Sequence, residues 1–265
     1  AYSMALLGEK PIVLATAGED FADYRRWMEE NGINASYIRE IPGKYTASFF
    51  VNTDLENNQI ASFYTGAMAD AARFSLAELP RDEVDYLVIS PNDPSAMRKL
   101  TDECVSLGIP YLFDPSQQVA RNPHEDLRIG VENAHAVFCN EYEFDLLVKH
   151  TGLSARQIDE HVRLLVITRG ENGAIVKSDD REYRIPIVSA SRIADPTGVG
   201  DAFRGGFLRG YRLGLDLQTC GQMGALSATY CLEQNGPSNH HYTPQEYVKR
   251  YRESFDDNGA LDILN

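Results

Sequence analysis

Residues 194–207 read ADPTGVGDAFRGGF, a glycine-rich turn followed directly by an apolar run. Phe203, Phe207 and Tyr211 are spaced four residues apart, which places them on one face of a helix. A helix with such a face buries it against the rest of the protein. The pattern therefore predicts a core-facing helix that begins at about Gly200–Asp201, immediately after the turn.

The turn before this helix is suited to binding an anion. The first amides of a helix lack intrahelical partners, and the helix dipole adds partial positive charge at the same end. We therefore expect the amides of Gly198, Val199 and Gly200 to form an anion hole. Asp201 has two interpretations, and the turn alone leaves both open. It is either a first-turn acid, worth about 0.3–1 kcal/mol to the helix, or a general base that takes a proton from a substrate hydroxyl beside a bound phosphate.

Short apolar runs alternate with helix-like stretches upstream of the turn. Continuous apolar runs are typical of strands buried on both faces of a parallel sheet. The runs are 11–18, 85–90, 109–114, 136–140 and 163–168. The helix-like stretches are 20–32, 93–108 and 140–152, and each ends at a glycine. This alternation predicts an α/β fold in which helices flank a doubly wound, mostly parallel sheet.

The interval 36–65 interrupts the alternation. Its segments KYTASFFVNTD and NQIASFYTG are β-rich, with LENN between them, and predict an antiparallel hairpin. Such a hairpin is either edge decoration or a lid over a site. We therefore expect an α/β core of residues 1–35 and 66–265 and a small β-rich lid of residues 36–65. A second hairpin is predicted at 173–188.

Composition excludes several classes of protein. A formal net charge of −14 argues against binding duplex nucleic acid, whose phosphates need Lys and Arg. The four cysteines form no CxxC pair and no disulfide framework, which is typical of reduced thiols in a cytosolic protein. No apolar run approaches the roughly 20 residues that span a bilayer, and no signal peptide is evident. We expect a cytoplasmic protein without nucleic-acid or membrane partners.

The common nucleotide and metal motifs do not fit. The sequence contains neither GxxxxGKS nor GxxxxGKT, which excludes a P-loop. Gly198 and Gly200 form a GxG, but Phe203 stands where a dinucleotide fingerprint has its third glycine. The His and Cys positions lack metal-site spacing, and there is no GxSxG. The chemistry is therefore expected from the turn and the strand ends.

DPTGVGDAFRGGFL (195–208) resembles the signature of the pfkB, or ribokinase-like, family of carbohydrate and nucleoside kinases. NEYE (140–143) resembles the N-x-x-E motif of this family, and ITRGENG (167–173) resembles its T-x-G-x-x-G turn. SPNDPSAM and FDPSQQ resemble segments at the tips of the middle strands, where ligands bind in open α/β sheets. By the order and spacing of these motifs the chain is identified as a member of the family. The resemblance implies a ribokinase-like fold and an ATP-dependent small-molecule kinase.

The resemblance also implies roles for the phosphoryl-transfer residues. Asp201 would be the catalytic base beside the anion hole, and the adenine of ATP would lie toward residues 221–236. The ATP-binding residues would be Asn140, Thr168, Gly170, Gly173 and Gly198. From the residues alone, Gly170 and Gly173 are equally well explained as turn residues of a hairpin.

Two cations enter through the same resemblance. Asn140 and Glu143 would position Mg²⁺ and phosphate indirectly, through water. K⁺, which some members of the family require, would lie near the loop that carries Asp195 and Thr197. The purely structural alternative for Asn140 is that it is a helix N-cap, with Glu143 completing a capping box.

Three features favour a nucleoside acceptor. DPTGVGDAFR resembles bacterial adenosine kinases more than the DTxGAGD of sugar kinases, and DPSQQ and NNQIASFYTGAM resemble the same branch. Phe49 and Phe63 lie on facing lid strands and could sandwich a purine, worth about 1–3 kcal/mol per stacked base. Gln117 or Gln118 would lie close to the nucleoside. Alternatively, the lid aromatics pack the lid itself or a dimer interface.

Other functions stay open. A ribokinase-like or fructokinase-like sugar kinase is the main alternative, and a non-catalytic nucleotide-binding protein on the same fold is another. Arg204 either adds positive charge at the site or is an ordinary exposed helix arginine. Members of the family often pair their lids, so the resemblance also implies a homodimer.

The chain opens with AYSMALLGEKPIVLA, which predicts the last turns of a helix closed by Gly8, followed by a strand. Because this helix is already under way at Ala1, we expect further residues ahead of it. Family members begin with a strand that bears a substrate-binding Asp, and a glycine-pair-and-Asn motif then enters the helix. Part of the acceptor site is therefore expected before Ala1.

Overall fold

The computed structural model describes residues 1–53 and 59–264. The strands are β1 (Ala15–Ala17), β2 (Ile38–Glu40), β3 (Ser48–Thr53), β4 (Gln59–Tyr64), β5 (Leu87–Ile89), β6 (Tyr111–Phe113), β7 (Ala136–Asn140), β8 (Leu164–Thr168), β9 (Ala174–Ser178) and β10 (Arg181–Ile185). The α-helices are α1 (Tyr2–Leu6), α2 (Ala22–Glu30), α3 (Pro94–Leu107), α4 (His124–Glu132), α5 (Glu141–Thr151), α6 (Ala155–His161), α7 (Val199–Arg212), α8 (Leu217–Leu232) and α9 (Pro244–Ser254). In these two stretches, no helix is both long enough and apolar enough to cross a bilayer.

The central sheet has six strands in the order β10-β9-β8-β7-β6-β5. Strands β5 to β8 are parallel, and the predicted second hairpin, β9–β10, extends the sheet antiparallel at the β8 side. This hairpin turns between Ser178 and Arg181, as predicted. The parallel strands therefore end along one common edge.

Both faces of this sheet are covered, as the continuous apolar runs predict. On β7, Ala136 and Phe138 pack into the cluster that includes residues of α7, α8 and α9. Val137 and Cys139 point to the opposite face and pack with residues of α3, α4, α5 and α6. Because successive strand residues face opposite sides, a strand between two helix layers needs apolar residues at every position.

The first predicted strand does not join the central sheet. Within the described residues, β1 pairs in parallel with β2, with Ala15 opposite Ile38, and Ile12 forms a bridge to Asn34. The apolar run of 11–18 was expected to lie in the main sheet with the others. Periodicity identifies a buried strand but does not specify its hydrogen-bonding partner, which explains the difference.

The predicted lid hairpin consists of β3 and β4, with Phe49 directly opposite Phe63. The predicted LENN turn is residues 55–58 and lies outside the described residues. Ile38–Glu40, which we placed in the lid, pairs with the core strand β1 instead. The division of the chain at residue 36 stays a prediction.

Helix α7 packs closely against α8. A Cβ atom at Gly206 would lie 2.5 Å from the carbonyl oxygen of Met223, and one at Gly210 would lie 2.9 Å from the Met223 sulfur. Phe203 and Phe207 are buried on the core side of α7, which confirms the predicted apolar face. The two helices therefore approach each other too closely for a side chain at either glycine.

Candidate active site

A cleft of about 440 Å³ lies at the carboxyl edge of the parallel strands. The residues that line it are Pro91, Ser116, Gln117, Asn140, Glu143, Thr168, Gly198, Gly200, Asp201 and Arg204. The loops that follow β5 and β6, the ends of β7 and β8 and the first turn of α5 supply the first six, and the N-cap and start of α7 supply the last four. Seven of the site residues predicted from the sequence therefore lie together in one cleft.

The turn before α7 is fastened to the segment 236–237. The carboxylate of Asp195 accepts hydrogen bonds from the amides of Thr197 (2.9 Å) and Gly236 (2.9 Å). Hydrogen bonds from Thr197, followed by that from Gly236, hold the pKa of Asp195 below its usual value. Gly198 has φ = 79°, and a Cβ atom there would lie 2.5 Å from Cβ of Pro237. The backbone of the turn is therefore tightly constrained.

Helix α7 begins at Val199 with Gly198 as its N-cap, one residue earlier than predicted. The first intrahelical bond runs from the amide of Ala202 to the carbonyl of Gly198 (2.9 Å). The amides of Gly200 and Asp201 precede this bond and are the unpaired donors of a first helical turn. The amide of Val199 differs, because it donates to the carbonyl of Pro196 (3.3 Å). The unpaired amides of the turn therefore include those of residues 200 and 201 but not that of Val199, and the predicted anion hole stays a prediction.

The position of Asp201 is compatible with both of its interpretations. It is the acid in the first turn of α7, and its carboxylate lines the cleft. The side chain is 81% exposed, and its Oδ1 lies 3.3 Å from Nη1 of Arg204. A first-turn acid needs no cleft, so its position beside the free amides supports the role of base.

Asn140 and Glu143 form the capping box that the sequence allowed. The side chain of Asn140 accepts from the amide of Glu143, and Glu143 Oε2 accepts from the amide of Asn140, each at 2.8 Å. Glu143 Oε1 also accepts from the hydroxyl of Ser116 (3.1 Å). Because the same two residues line the cleft, capping holds their oxygens in place at the site.

The turn after β8 contributes Thr168 to the cleft, whereas Gly170 and Gly173 lie outside its lining. The amide of Arg169 donates to the carbonyl of Gly173 (2.7 Å), which closes a tight connection to β9. Gly173 has φ = 78°. These contacts support the hairpin interpretation of the two glycines, and their ATP-binding role stays a prediction.

The predicted acceptor residues are divided between two places. Gln117 lines the cleft, but Gln118 is buried and its amide donates to the carbonyl of Asn92 (2.7 Å). The 3₁₀ turn of Ser116–Ala120 directs the two side chains apart, so we do not assign Gln118 to the substrate. Phe49 and Phe63 are 65% and 41% exposed on the lid hairpin and are not part of the cleft lining.

Asp114 and Arg204 form a buried pair that sequence analysis did not find. The side chain of Arg204 is only 16% exposed, so the interpretation as an ordinary exposed arginine is wrong. Its Nε lies 2.6 Å from Asp114 Oδ2, and its Nη2 donates to Asp114 Oδ1 (2.7 Å). The position of Asp114, directly after the buried strand β6, was the available signal.

Burial and charge act against each other in this pair. Burial raises the pKa of Asp114, Asp201 and Glu143 act in the same direction, and Arg204 opposes them. Burial alone would lower the pKa of Arg204, but the three carboxylates outweigh it and the pKa is raised. The guanidinium is therefore a fixed cation at the base of an acidic cleft.

The fold and the cleft are those of a phosphotransferase. A family model described as PfkB, pfkB family carbohydrate kinase, matches residues 1–244. The chain therefore belongs to the pfkB family of carbohydrate kinases, and the predicted ribokinase-like α/β fold is confirmed.

Several relatives of the chain are nucleoside kinases. A nucleoside kinase of Methanocaldococcus jannaschii is 29% identical over 252 residues, which cover 94% of this chain and 82% of that protein. A Burkholderia thailandensis nucleoside kinase in complex with inosine superposes with a TM-score of 0.92 at 35% identity, covering 96% of this chain and 85% of that one. Its complex with ADP-inosine gives a TM-score of 0.91 at 35% identity, with coverage of 96% and 80%.

Proposed function

We propose that the protein is an ATP-dependent nucleoside kinase that phosphorylates the ribose 5′-hydroxyl of a purine nucleoside. The observation that carries this proposal is the position of Asp201, whose carboxylate shares one cleft with the free amides of the first turn of α7. The similarity to nucleoside kinases, one of them bound to inosine, supports a nucleoside as the acceptor. Adenosine, which the sequence motifs favour, and inosine are both candidates.

In the proposed reaction, the acceptor oxygen forms a bond to the γ-phosphorus of ATP as the bond to the β–γ bridging oxygen breaks. The carboxylate of Asp201 takes the hydroxyl proton, and ADP leaves with the bond electrons. The amides of Gly200 and Asp201 donate hydrogen bonds to the oxygens of the transferring group.

The donor atoms of the cleft fit a magnesium ion that arrives with ATP. Hard oxygen ligands suit Mg²⁺, which keeps much of its water, and Asn140 and Glu143 present such oxygens at the cleft. Across residues 1–53 and 59–264, no group of three or more His, Cys, Asp or Glu side chains could hold a metal. Asn140 and Glu143 would therefore hold the ion through water. When bound, Mg²⁺ neutralises phosphate charge.

A potassium requirement is a further part of the proposal. Both carboxylate oxygens of Asp195 are engaged by backbone amides, so the loop of residues 195–197 has a defined shape next to the anion hole. K⁺ would bind to this loop and support the same shape. Activity in K⁺ buffer should exceed activity in Tris-only buffer, and equal rates would remove the requirement.

The acceptor is identified by a substrate panel. Adenosine, inosine, cytidine, ribose and fructose are each incubated with MgATP, and ADP release is measured together with the phosphorylated product. The purine nucleosides should give the highest kcat/KM. Phosphorylation of the free sugars without any nucleoside would contradict the proposal and favour a sugar kinase.

Replacing Phe49 or Phe63 with alanine should raise KM for the nucleoside about tenfold, because a stacked base is worth about 1–3 kcal/mol. Phe49 and Phe63 are directly opposite one another, and both are exposed. The matched control is Phe50→Ala, since Phe50 is also exposed but points to the other face of the same strand. Steady-state kinetics with varied nucleoside checks the result, and an equal KM change in all three variants would contradict stacking.

The other face of the hairpin supports a homodimer. Phe50 and Tyr64 lie on this face and are 58% and 46% exposed, which is unusual for large side chains left in water. We expect a dimer in sedimentation experiments, and Phe50→Ala should weaken it. A monomeric wild-type protein at micromolar concentration would contradict this.

The four free, buried cysteines support a reducing compartment, the cytoplasm.

A further inference from the structure

The guanidinium of Arg204 is held so that one nitrogen is left for the cleft. Its Nε and Nη2 contact the carboxylate of Asp114, which is 2% exposed. The remaining nitrogen, Nη1, lies 3.3 Å from Asp201 Oδ1. Arginine presents its donors in a rigid planar fork, so fixing two nitrogens also fixes the third. The direction of Nη1 is therefore set by Asp114.

Nη1 also lies against the anion hole. A Cβ atom at Gly200 would be 3.0 Å from Nη1, closer than a comfortable contact. Glycine at this position leaves room for the guanidinium beside the first turn of α7. The amide of Gly200, the carboxylate of Asp201 and Nη1 of Arg204 thus converge on one part of the cleft.

The negative charges of the cleft suggest that Nη1 of Arg204 does more than form an ion pair that stabilises the fold. Asp201 and Glu143 line the cleft, and Asp114 lies directly beneath it, so three carboxylates surround the place where phosphate must bind. Among the described residues of the lining, Arg204 is the only basic side chain. An incoming phosphoryl group, which is strongly anionic, would otherwise meet like charges and two amides.

We propose that Arg204 is a further catalytic residue, whose Nη1 donates a hydrogen bond to the terminal phosphoryl group, and that Asp114 is the positioning residue that aims it. This inference rests on the proposed function in assuming transfer from ATP. Arg204 neither gains nor loses a proton in the step. When Asp201 takes the proton of the acceptor it becomes neutral, and Nη1, which faces Asp201 in the free cleft, is then left to the phosphoryl oxygens while Asp114 keeps the other two nitrogens.

The chain contains a matched pair without this role. Arg209, on the same helix, is 15% exposed, donates to the carboxylate of Glu9 (2.8 Å) and to the carbonyl of Leu7 (2.9 Å), and does not line the cleft. Arg209→Gln therefore removes an arginine–carboxylate pair from α7 whose arginine is as little exposed as Arg204, while leaving the cleft intact. Comparison of Arg209→Gln with Arg204→Gln therefore separates the effect of destabilising α7 from the effect of losing the proposed contact to the phosphoryl group.

The test compares Arg204→Gln, Asp114→Asn, the double variant and Arg209→Gln. Three quantities are measured: kcat with any acceptor that the wild type phosphorylates, the affinities for ATP and ADP by titration calorimetry, and the melting temperature. Arg204→Gln should lower kcat about 10²–10³-fold, as loss of one donor to the reacting group does elsewhere. It should also weaken ATP binding more than ADP binding. Arg209→Gln should lower only the melting temperature.

The role of Asp114 is tested by comparing the loss of kcat in the double variant with the losses in the two single variants. If Asp114 acts through Arg204, adding Asp114→Asn to Arg204→Gln should cause no further loss of kcat. If Arg204→Gln fails to fold, Arg204→Lys replaces it, since lysine keeps the charge but cannot contact Asp114 and the phosphoryl group together. It should show an intermediate loss.

Two results would overturn the assignment. One is a kcat of Arg204→Gln within about threefold of wild type, and the other is an equal loss of ATP and ADP affinity. Neither depends on the acceptor being a nucleoside, because the titrations need no acceptor. A wild-type protein that phosphorylates only sugars would contradict the proposed function and leave the assignment of Arg204 intact.

Discussion

Replacing Asp201 with asparagine is expected to lower kcat by about 10²–10⁴-fold, the contribution of a well-placed general base. Asparagine keeps the size and polarity of the side chain but cannot accept the proton of the acceptor hydroxyl. The melting temperature should change little, because the Asp201 side chain is 81% exposed and its pair with Arg204 is therefore weak. Steady-state kinetics and thermal unfolding of the same preparation check both statements.

The matched control for this variant is Asp23→Asn. Asp23 is the acid in the first turn of α2, and its side chain is 93% exposed. It shares the helix position of Asp201 but is not part of the cleft. Asp23→Asn should leave kcat unchanged. If the two variants have the same activity, Asp201 is a helix-stabilising acid and not the base.

Gly198→Ala is expected to lower kcat about 100-fold, because a misplacement of about 1 Å at a reacting centre has an effect of that size. Gly198 has φ = 79°, where an alanine is strained, and its new Cβ would lie 2.5 Å from Cβ of Pro237. The turn must move to relieve this contact, and it carries the amides of Gly200 and Asp201 with it. Kinetics and ATP titration measure the loss.

Gly214→Ala separates this displacement from backbone strain alone. Gly214 follows the other end of α7 with φ = 74°, and a Cβ atom there would have nothing within 4 Å. The variant should lose about 1 kcal/mol of stability from the left-handed conformation with full activity. An equal loss of activity in both variants would indicate that general destabilisation, and not the anion hole, accounts for the effect at Gly198.

The layers of the fold and the position of several cleft residues were predictable because their signals are local. Strand β7 is apolar at residues 136–139, and the glycine turn before α7 is contiguous in sequence with Asp201. Asn140, Thr168 and Asp201 could be placed together because parallel strands end at one edge of the sheet. The position of a residue at a strand end or a helix start can be predicted without knowing its long-range contacts.

The features that were not predicted depend on contacts between residues far apart in the sequence or on burial by other elements. Arg204 and Asp114 are 90 positions apart, and nothing in either segment indicates that they meet. Helix α8 was not predicted, because its sequence LQTCGQMGALSATYCL is largely apolar and buried on most sides, so it lacks the polar face that marks an amphipathic helix. The pairing of β1 with β2 likewise depends on tertiary contacts that the sequence of either strand does not specify.

The close contact between α7 and α8 has a consequence for how specificity can change in this protein. At Gly206 and Gly210 the backbone of α7 lies so close to atoms of α8 that a Cβ atom has no room, so a shift of one helix must disturb the other. The part of the cleft to which we assign the phosphoryl donor is consequently a poor target for redesign. New acceptors should be sought by exchanging the β3–β4 hairpin, while residues 198–232 are kept as one unaltered block.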